Sequence, residues 1–305
     1  MKFIFGPVPS RRLGLSLGVS PIPKGHCNYS CIYCQLGRTS AMTNTVKSFF
    51  NPQEIVAEVK DYISKDFKFD VITVVGEGEP LLYRDLDIII NDIKKITEKP
   101  VAVITNGALL YEKSVRENIK NADIVLPSLD SPDKNTWKKI NRPFGKMNFE
   151  DSVNGIIKFS DEFKGQIWIE IMLIKGINDD RESILNFKNI LKQIKYDKIY
   201  INVPLRAPAE QWVEIPEKEN LEFAVKTLGA ISMENINSDN FFSEEKDDIQ
   251  AVISIIKRHP MNQYEIKSFL ESRKNNYPEV IISELEKNSE ISVIEYKGYK
   301  TYRLK

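Results

Sequence analysis

The chain's only cysteines stand together in the stretch Cys27-Asn28-Tyr29-Ser30-Cys31-Ile32-Tyr33-Cys34. Their spacing, C-x3-C-x2-C, lets three thiols converge on one soft metal centre from a single loop. Thiolates are the usual ligands of iron–sulfur clusters, and a [4Fe–4S] cube takes four ligands. Three cysteines therefore leave one iron open to a small molecule. An open coordination position separates a catalytic metal site from a closed structural one. Three thiols so close in sequence cannot build a disulfide framework. Zinc completed by a histidine is the other reading, with His26 beside Cys27 and His259 far along the chain. Spacing alone leaves both metals open.

Polar residues with chemical potential recur elsewhere. Arg11 and Arg12, in Pro9-Ser10-Arg11-Arg12-Leu13-Gly14, place two guanidiniums near the start of a strand. Guanidiniums suit bidentate recognition of carboxylate or phosphate, although a solvated surface pair has the same composition. The segments Gly76-Glu77-Gly78-Glu79-Pro80, Thr105-Asn106-Gly107 and Ser128-Leu129-Asp130 each follow a short apolar run. Glu170 lies within a later run, and Lys175-Gly176 follows it. Lys175 could bind an anion or form a Schiff base, or simply be a solvated lysine at a strand end.

The elements that must position these groups alternate. Residues 1–23 read as loop-like and end in a first strand near Leu15–Pro21, and the cysteine loop spans Lys24–Thr39. Strands follow at 70–75, 100–105, 123–129, 166–174 and 198–203, separated by helix-length amphipathic segments. Repeated βα units build a parallel sheet, and strands apolar on both faces fit one covered on both sides. The chemical turns follow the C-terminal ends of strands, where α/β barrels place their sites. The expected fold is α/β: a partial (β/α)6 TIM-like barrel over 1–236, with a weak last strand at 231–236. A polar linker over 237–247 follows. Three helical patterns and a strand pair then predict a small winged helix-turn-helix domain over 248–305.

At 305 residues the chain can bury a sizeable core, and its 43 basic and 43 acidic residues balance. No global basic field argues for a polyanionic partner. The same balance holds in the C-terminal region, whose third helix carries Glu279, Glu284 and Glu286, so nucleic acid has weak support as a partner. No apolar run reaches the roughly 20 residues of a membrane span, and the N-terminal apolar stretch is too short for a secretory signal. The expected location is the cytoplasm, where thiols stay reduced.

In this order, the motifs resemble the radical S-adenosylmethionine (radical SAM) superfamily. The resemblance assigns Cys27, Cys31 and Cys34 to a [4Fe–4S] cluster whose fourth iron is chelated by SAM. It places Tyr33, the residue before the third cysteine, near the SAM adenine. Gly78, Glu79 and Pro80 stand where a G-G-E-like segment binds the methionine amino group. Thr105, Asn106, Ser128 and Asp130 correspond to strand-end polar groups for ribose and carboxylate, with Glu170 a further candidate. The N-terminal Phe5–Gly14 segment, the cysteine loop through Thr39 and Arg206-Ala207-Pro208-Ala209-Glu210 are similar to the wyosine-synthase-like group. That likeness puts Arg11 and Arg12 near the active site, and with Arg206 and Lys175 they are the substrate-binding candidates. One departure stands out: archaeal wyosine synthases carry extra cysteines for a second cluster, and here none are to spare. This counts against imidazoline-ring synthesis on tRNA. The implied activity is reductive cleavage of SAM to a 5′-deoxyadenosyl radical that abstracts hydrogen from a small molecule or RNA base. A ferredoxin or flavodoxin is the implied reductant. An activase of a protein partner, and a non-catalytic cluster sensor acting through the winged helix, are the other readings.

Overall fold

A computed structural model describes residues 2–65, 67–233 and 241–305. The chain begins with strands β1 (Ile4–Ser10) and β2 (Gly14–Val19) and two short strands, β3 (His26–Cys27) and β4 (Ala41–Met42). Helix α1 (Pro52–Ile63) leads to β5 (Val71–Val74), and α2 (Leu86–Ile96) to β6 (Val101–Thr105). Helix α3 (Lys113–Ile119) then precedes β7 (Ile124–Pro127). Helices α4 (Lys134–Ile140) and α5 (Phe149–Glu162) precede β8 (Gln166–Met172). The series closes with α6 (Arg181–Leu191), β9 (Lys198–Asn202), α7 (Lys218–Leu228) and β10 (Ile231–Ser232).

These strands form one sheet in the order β1-β2-β5-β6-β7-β8-β9-β10, parallel throughout except for the β1–β2 hairpin. The helices begin as their sequences direct. Asn51 caps α1 ahead of Pro52, Asn148 caps α5, and Asp180 caps α6, each accepting a bond from an otherwise orphaned amide. Ile55 and Val59 of α1, Ile89 and Ile93 of α2, and Phe159 of α5 bury against the sheet's outer face. Inside the curve, Leu13, Val71, Ala102, Leu126, Trp168 and Tyr200 pack together as a floor. The sheet is therefore an incomplete barrel with a filled base.

One difference lies at the start of the chain. The segment read as loop-like forms β1, paired antiparallel to β2 with a register shift between Phe5 and Val8. Pro7 and Pro9 hide the strand from a propensity reading, but an edge strand with a bulge tolerates proline. Gly18 makes the hairpin tight, since a Cβ there would stand 2.2 Å from the Phe5 ring.

The C-terminal part contains α8 (Asp248–Ile256), β11 (Met261–Asn262), α9 (Gln263–Ser272), α10 (Pro278–Lys287), β12 (Ile291–Tyr296) and β13 (Tyr299–Leu304). Its strands form a separate antiparallel sheet in the order β11-β13-β12. This part is not a bead on a string. Its core, built on Val252, Ile256, Phe269 and Tyr302, also takes in Phe5 and Val8 of β1. Part of the polar segment read as a linker, 237–240, lies outside the described residues. The remainder packs on the barrel: Phe241 is buried, the Phe242 amide donates to the Pro7 carbonyl, and Glu244 pairs with Lys65. Among the described residues no helix is long and apolar enough to cross a membrane.

Candidate active site

The cysteine loop is seated on three sides by backbone bonds. The Ser30 and Ile32 amides donate to the carbonyls of Asn141 and Ile140 at the end of α4, and the Phe144 amide donates to the Asn28 carbonyl. On the rim, the Glu210 amide donates to the Ile32 carbonyl, while the Glu210 carboxylate receives Arg38 through two bonds and Arg142 through one. On the barrel side, the Gly25 amide donates to the Glu77 carbonyl at 2.8 Å and the Glu79 amide to the His26 carbonyl at 2.9 Å. These bonds zip the Gly76–Pro80 turn to the base of the loop. Gly78 allows the approach, because a Cβ there would lie 1.8 Å from the His26 carbonyl oxygen.

All three cysteines are free thiols. Burial pushes each of them upward in pKa; Cys27 adds to the rise at Cys31 and Cys34 to the rise at both, so the three are electrostatic neighbours. Donors already point at the sulfurs. The Tyr29 amide lies 3.4 Å from Cys27 Sγ, and Asn141 Nδ2 lies 3.5 Å from Cys31 Sγ. Arg303 of β13 favours the thiolate of Cys34. A buried thiol keeps its proton unless a cation replaces it, and a soft metal does so. Among the described residues no three His, Cys, Asp or Glu side chains surround a single-ion site. Three thiols on one loop, with N–H donors already at two of the sulfurs, suit a soft thiolate-bound metal centre, and His26 adds nothing to the set: its ring packs edge-on against Phe49.

Glu79 is buried, and both of its oxygens are engaged. Oε1 accepts from the Leu81 amide and the Thr105 hydroxyl, and Oε2 from the Asn106 amide at 2.8 Å. Burial lifts its carboxyl to about 7, with the Thr105, Asn106 and Leu81 bonds pulling the other way. Asn106 in turn donates to Asn28, a fully buried residue inside the cysteine motif. Asp130 makes a second clamp. It accepts from the Tyr33 hydroxyl, from Asn141 Nδ2 at 3.1 Å and from the Met172 amide at 3.0 Å. Burial raises the pKa of Asp130. The Tyr33 ring is thus fixed over the strand ends of β7 and β8. Asn106, Ser128, Asp130 and Asn141 line a small crevice beside the loop.

A second, larger cavity of about 410 Å³ fills the barrel mouth and adjoins Tyr33 and Cys34. Ligand sites run from about 300 to 1,000 Å³, so this one is large enough for a cofactor's edge and a small molecule. Arg11, Arg12, Glu170 and Arg206 all line it. Arg12 is ion-paired to Glu170, which also accepts from Asn202 Nδ2 at 2.7 Å. Lys175 does not line it. That lysine is half exposed and paired with Glu217 at 2.5 Å and Glu214 at 3.5 Å, which makes it a strand-end surface lysine. Sequence reading missed Asn28, Asn141, Arg258 and Arg303, and weighed His259 only as a zinc ligand. Asn28 stands inside the cysteine motif and could have been singled out; the others reach the site from distant elements, and no local pattern marks them.

The radical SAM superfamily profile matches residues 22–187. The chain is 34% identical over 313 residues to a UPF0026 protein of Methanocaldococcus jannaschii, covering 99% of this chain and 96% of that one. It is 36% identical over 264 residues to a protein named GTPase Obg from Brachyspira hyodysenteriae; the match covers 85% of this chain but only 39% of that protein. Among solved structures, TYW1 with a lysine–pyruvate adduct bound matches at a TM-score of 0.51 and 18% identity, over 98% of this chain and 82% of that one. A radical SAM methyltransferase from Sphaerobacter thermophilus matches at 0.50 and 15% identity, over 71% of this chain and 65% of that one. At such identities the likeness is one of fold. The profile covers more than half of the chain, including the three-thiol loop and the turn zipped to it, and the chain belongs to the radical SAM superfamily as an enzyme of the UPF0026 kind.

Proposed function

We propose that Cys27, Cys31 and Cys34 hold one [4Fe–4S] cluster, that SAM completes it, and that the enzyme uses the resulting radical to abstract hydrogen from a small substrate in the barrel mouth. When bound and reduced, the cluster supplies the electron that splits SAM into methionine and a 5′-deoxyadenosyl radical. The chain's own residues orient and shield. Asn28, Asn141 and the Tyr29 amide hold the loop and its sulfurs. Glu79, with Gly78 and Pro80, offers an anionic corner to the SAM ammonium. Thr105, Asn106, Ser128 and Asp130 serve its carboxylate and ribose, and Tyr33, locked by Asp130, forms a wall for the adenine. Glu170 braces Arg12 across the interior.

The observation that carries this reading is the pair of backbone bonds joining the Gly76–Pro80 turn to the thiol loop at the edge of a cavity. A partial (β/α)6 barrel over 1–236 and a winged-helix unit over 248–305 are the units of the proposal, the second acting as a wall of the site. The reductant is a low-potential carrier of the ferredoxin or flavodoxin class in the cytoplasm. The test is anaerobic reconstitution followed by assay of 5′-deoxyadenosine with dithionite and SAM. Product is expected, and Cys27→Ala, Cys31→Ala and Cys34→Ala are each expected to lose the cluster's visible and EPR signals. A normal cluster in all three variants would end the assignment, as would an intact cluster that never cleaves SAM.

A further inference from the structure

The cavity's charge is not balanced. Four guanidiniums face it, those of Arg11, Arg12, Arg206 and Arg258. Three carboxylates answer them: Glu170 pairs with Arg12, Glu265 with Arg206 at 3.0 Å, and Glu77 with Arg258 at 2.9 Å. Among the described residues Arg11 has no hydrogen bond or ion pair, although it is half-buried beside Arg206. Burial and the neighbouring guanidinium lower its pKa, against a smaller opposing pull from Glu265, so a bound anion would further stabilise its charge. Two further polar atoms wait in the same wall. Arg12 Nε and His259 Nε2 are buried with no hydrogen-bond partner among the described residues. His259, which follows α8, is pushed well below the usual imidazole range by burial and by Arg206 and Arg11, which places it beside them. Buried polar groups are normally satisfied, and Arg12 and His259 both line the cavity in which Arg11 stands unpaired, so unmet hydrogen-bonding capacity gathers at one wall that an anionic ligand would complete.

We propose that the barrel mouth binds a small substrate bearing a carboxylate or phosphate group, gripped by Arg11 and Arg206 with the His259 ring beside them. The rest of the substrate lies against Phe5, Leu13, Met172 and Met233. This inference rests on the radical SAM reading for what happens next, but not for the binding itself. SAM also carries a carboxylate. Asn106, Ser128 and Asp130 line the separate small crevice, whereas the arginines line the large cavity, so the two anions have different stations. The C-terminal part thereby contributes to the pocket: His259 follows its first helix, and Glu265 of α9 orients Arg206.

The test uses reconstituted, cluster-loaded protein saturated with SAM, titrated calorimetrically with phenyl phosphate, phenylacetate and neutral phenylacetamide. At least one of the two anions is expected to bind saturably, at least tenfold more tightly than the amide, and the tighter one identifies the head group. Arg11→Gln is expected to weaken that anion roughly tenfold or more, the scale of one charge-assisted hydrogen bond, with SAM affinity unchanged. Arg206→Lys, which keeps the charge but not the fork, is expected to weaken it as well. Binding of neither anion, or of the amide equally well, overturns the proposal. So does an Arg11→Gln variant that loses SAM affinity while keeping the anion. Because cluster content and 5′-deoxyadenosine are measured on the same sample, failure of the radical SAM reading is seen separately from failure of anion binding.

Discussion

Glu79 joins two tasks in one carboxylate. Its three hydrogen bonds tie the turn after β5 to the end of β6, while its backbone amide holds the thiol loop. Replacing it with glutamine puts an amide NH2 where one oxygen faced donors, leaving a buried N–H or O–H unpaired at a cost of about 1–3 kcal/mol. Glu79→Gln is expected to lower the melting temperature and to weaken SAM at least tenfold, read by equilibrium dialysis on cluster-loaded protein. A lower melting temperature with unchanged SAM affinity would make the residue structural and move the ammonium site elsewhere. At this scale the sequence was most legible where chemistry is local. The C-x3-C-x2-C spacing places three thiols on one loop whatever the fold around it. The Tyr33–Asp130 clamp joins residues 97 apart, and the Asn141 contact to Cys31 spans 110, so neither could be read as a pair before the chain was folded.

Among the elements, α8 is the one whose role changes most between sequence and structure. Periodicity identifies it as an amphipathic helix, but its last turn reaches back to the start of the chain. Arg258 donates to Glu77 at 2.9 Å and to the Lys2 carbonyl at 2.6 Å, with only 6% and 7% of the two paired side chains exposed. Glu77 belongs to the turn that meets the thiol loop, so this ion pair connects the C-terminal part to the cofactor corner. Removing one partner of a buried pair leaves an unpaired charge, which costs about 3–5 kcal/mol. Arg258→Ala is expected to destabilise the protein by that amount and to speed hydrogen exchange in α8, whereas exchange in β7 and β8 should stay near wild type. Equal acceleration everywhere would mean that α8 is not a locally coupled element. The β1 hairpin was hidden for a related reason: its prolines argue against a strand locally, and only pairing with β2 and packing under α8 make it one.

For the whole molecule, the question is whether the C-terminal part faces outward to nucleic acid or inward to the barrel. Its three helices and hairpin are the pattern from which a DNA- or RNA-binding module is usually inferred, yet several of its cations are already committed. Arg303 of β13 donates to the Gln35 carbonyl in the thiol loop, Lys300 pairs with Glu286, and Lys267 with Glu279. The Tyr296 hydroxyl donates to the Val213 carbonyl, and Lys24 of the barrel donates to the Lys305 carbonyl. A hairpin held this way braces the thiol loop and cannot enter a groove without releasing it. Helix α10, where a recognition helix would lie, carries Glu279, Glu284 and Glu286 against a single Lys287. Binding to phosphate backbones draws on counterion release and weakens by orders of magnitude, about 10³–10⁵-fold for 6–10 phosphate contacts, between 50 and 200 mM salt. Polarisation titrations with tRNA and with duplex DNA are therefore expected to show no saturable, steeply salt-dependent binding. Tight binding with a steep salt slope, abolished by charge reversal on β12–β13, would turn the C-terminal part outward and reopen a nucleic-acid substrate. Without it, the shared core with β1 and the hairpin's bonds to the thiol loop keep the C-terminal part turned toward the barrel, where Arg206 and His259 wall the proposed anion site.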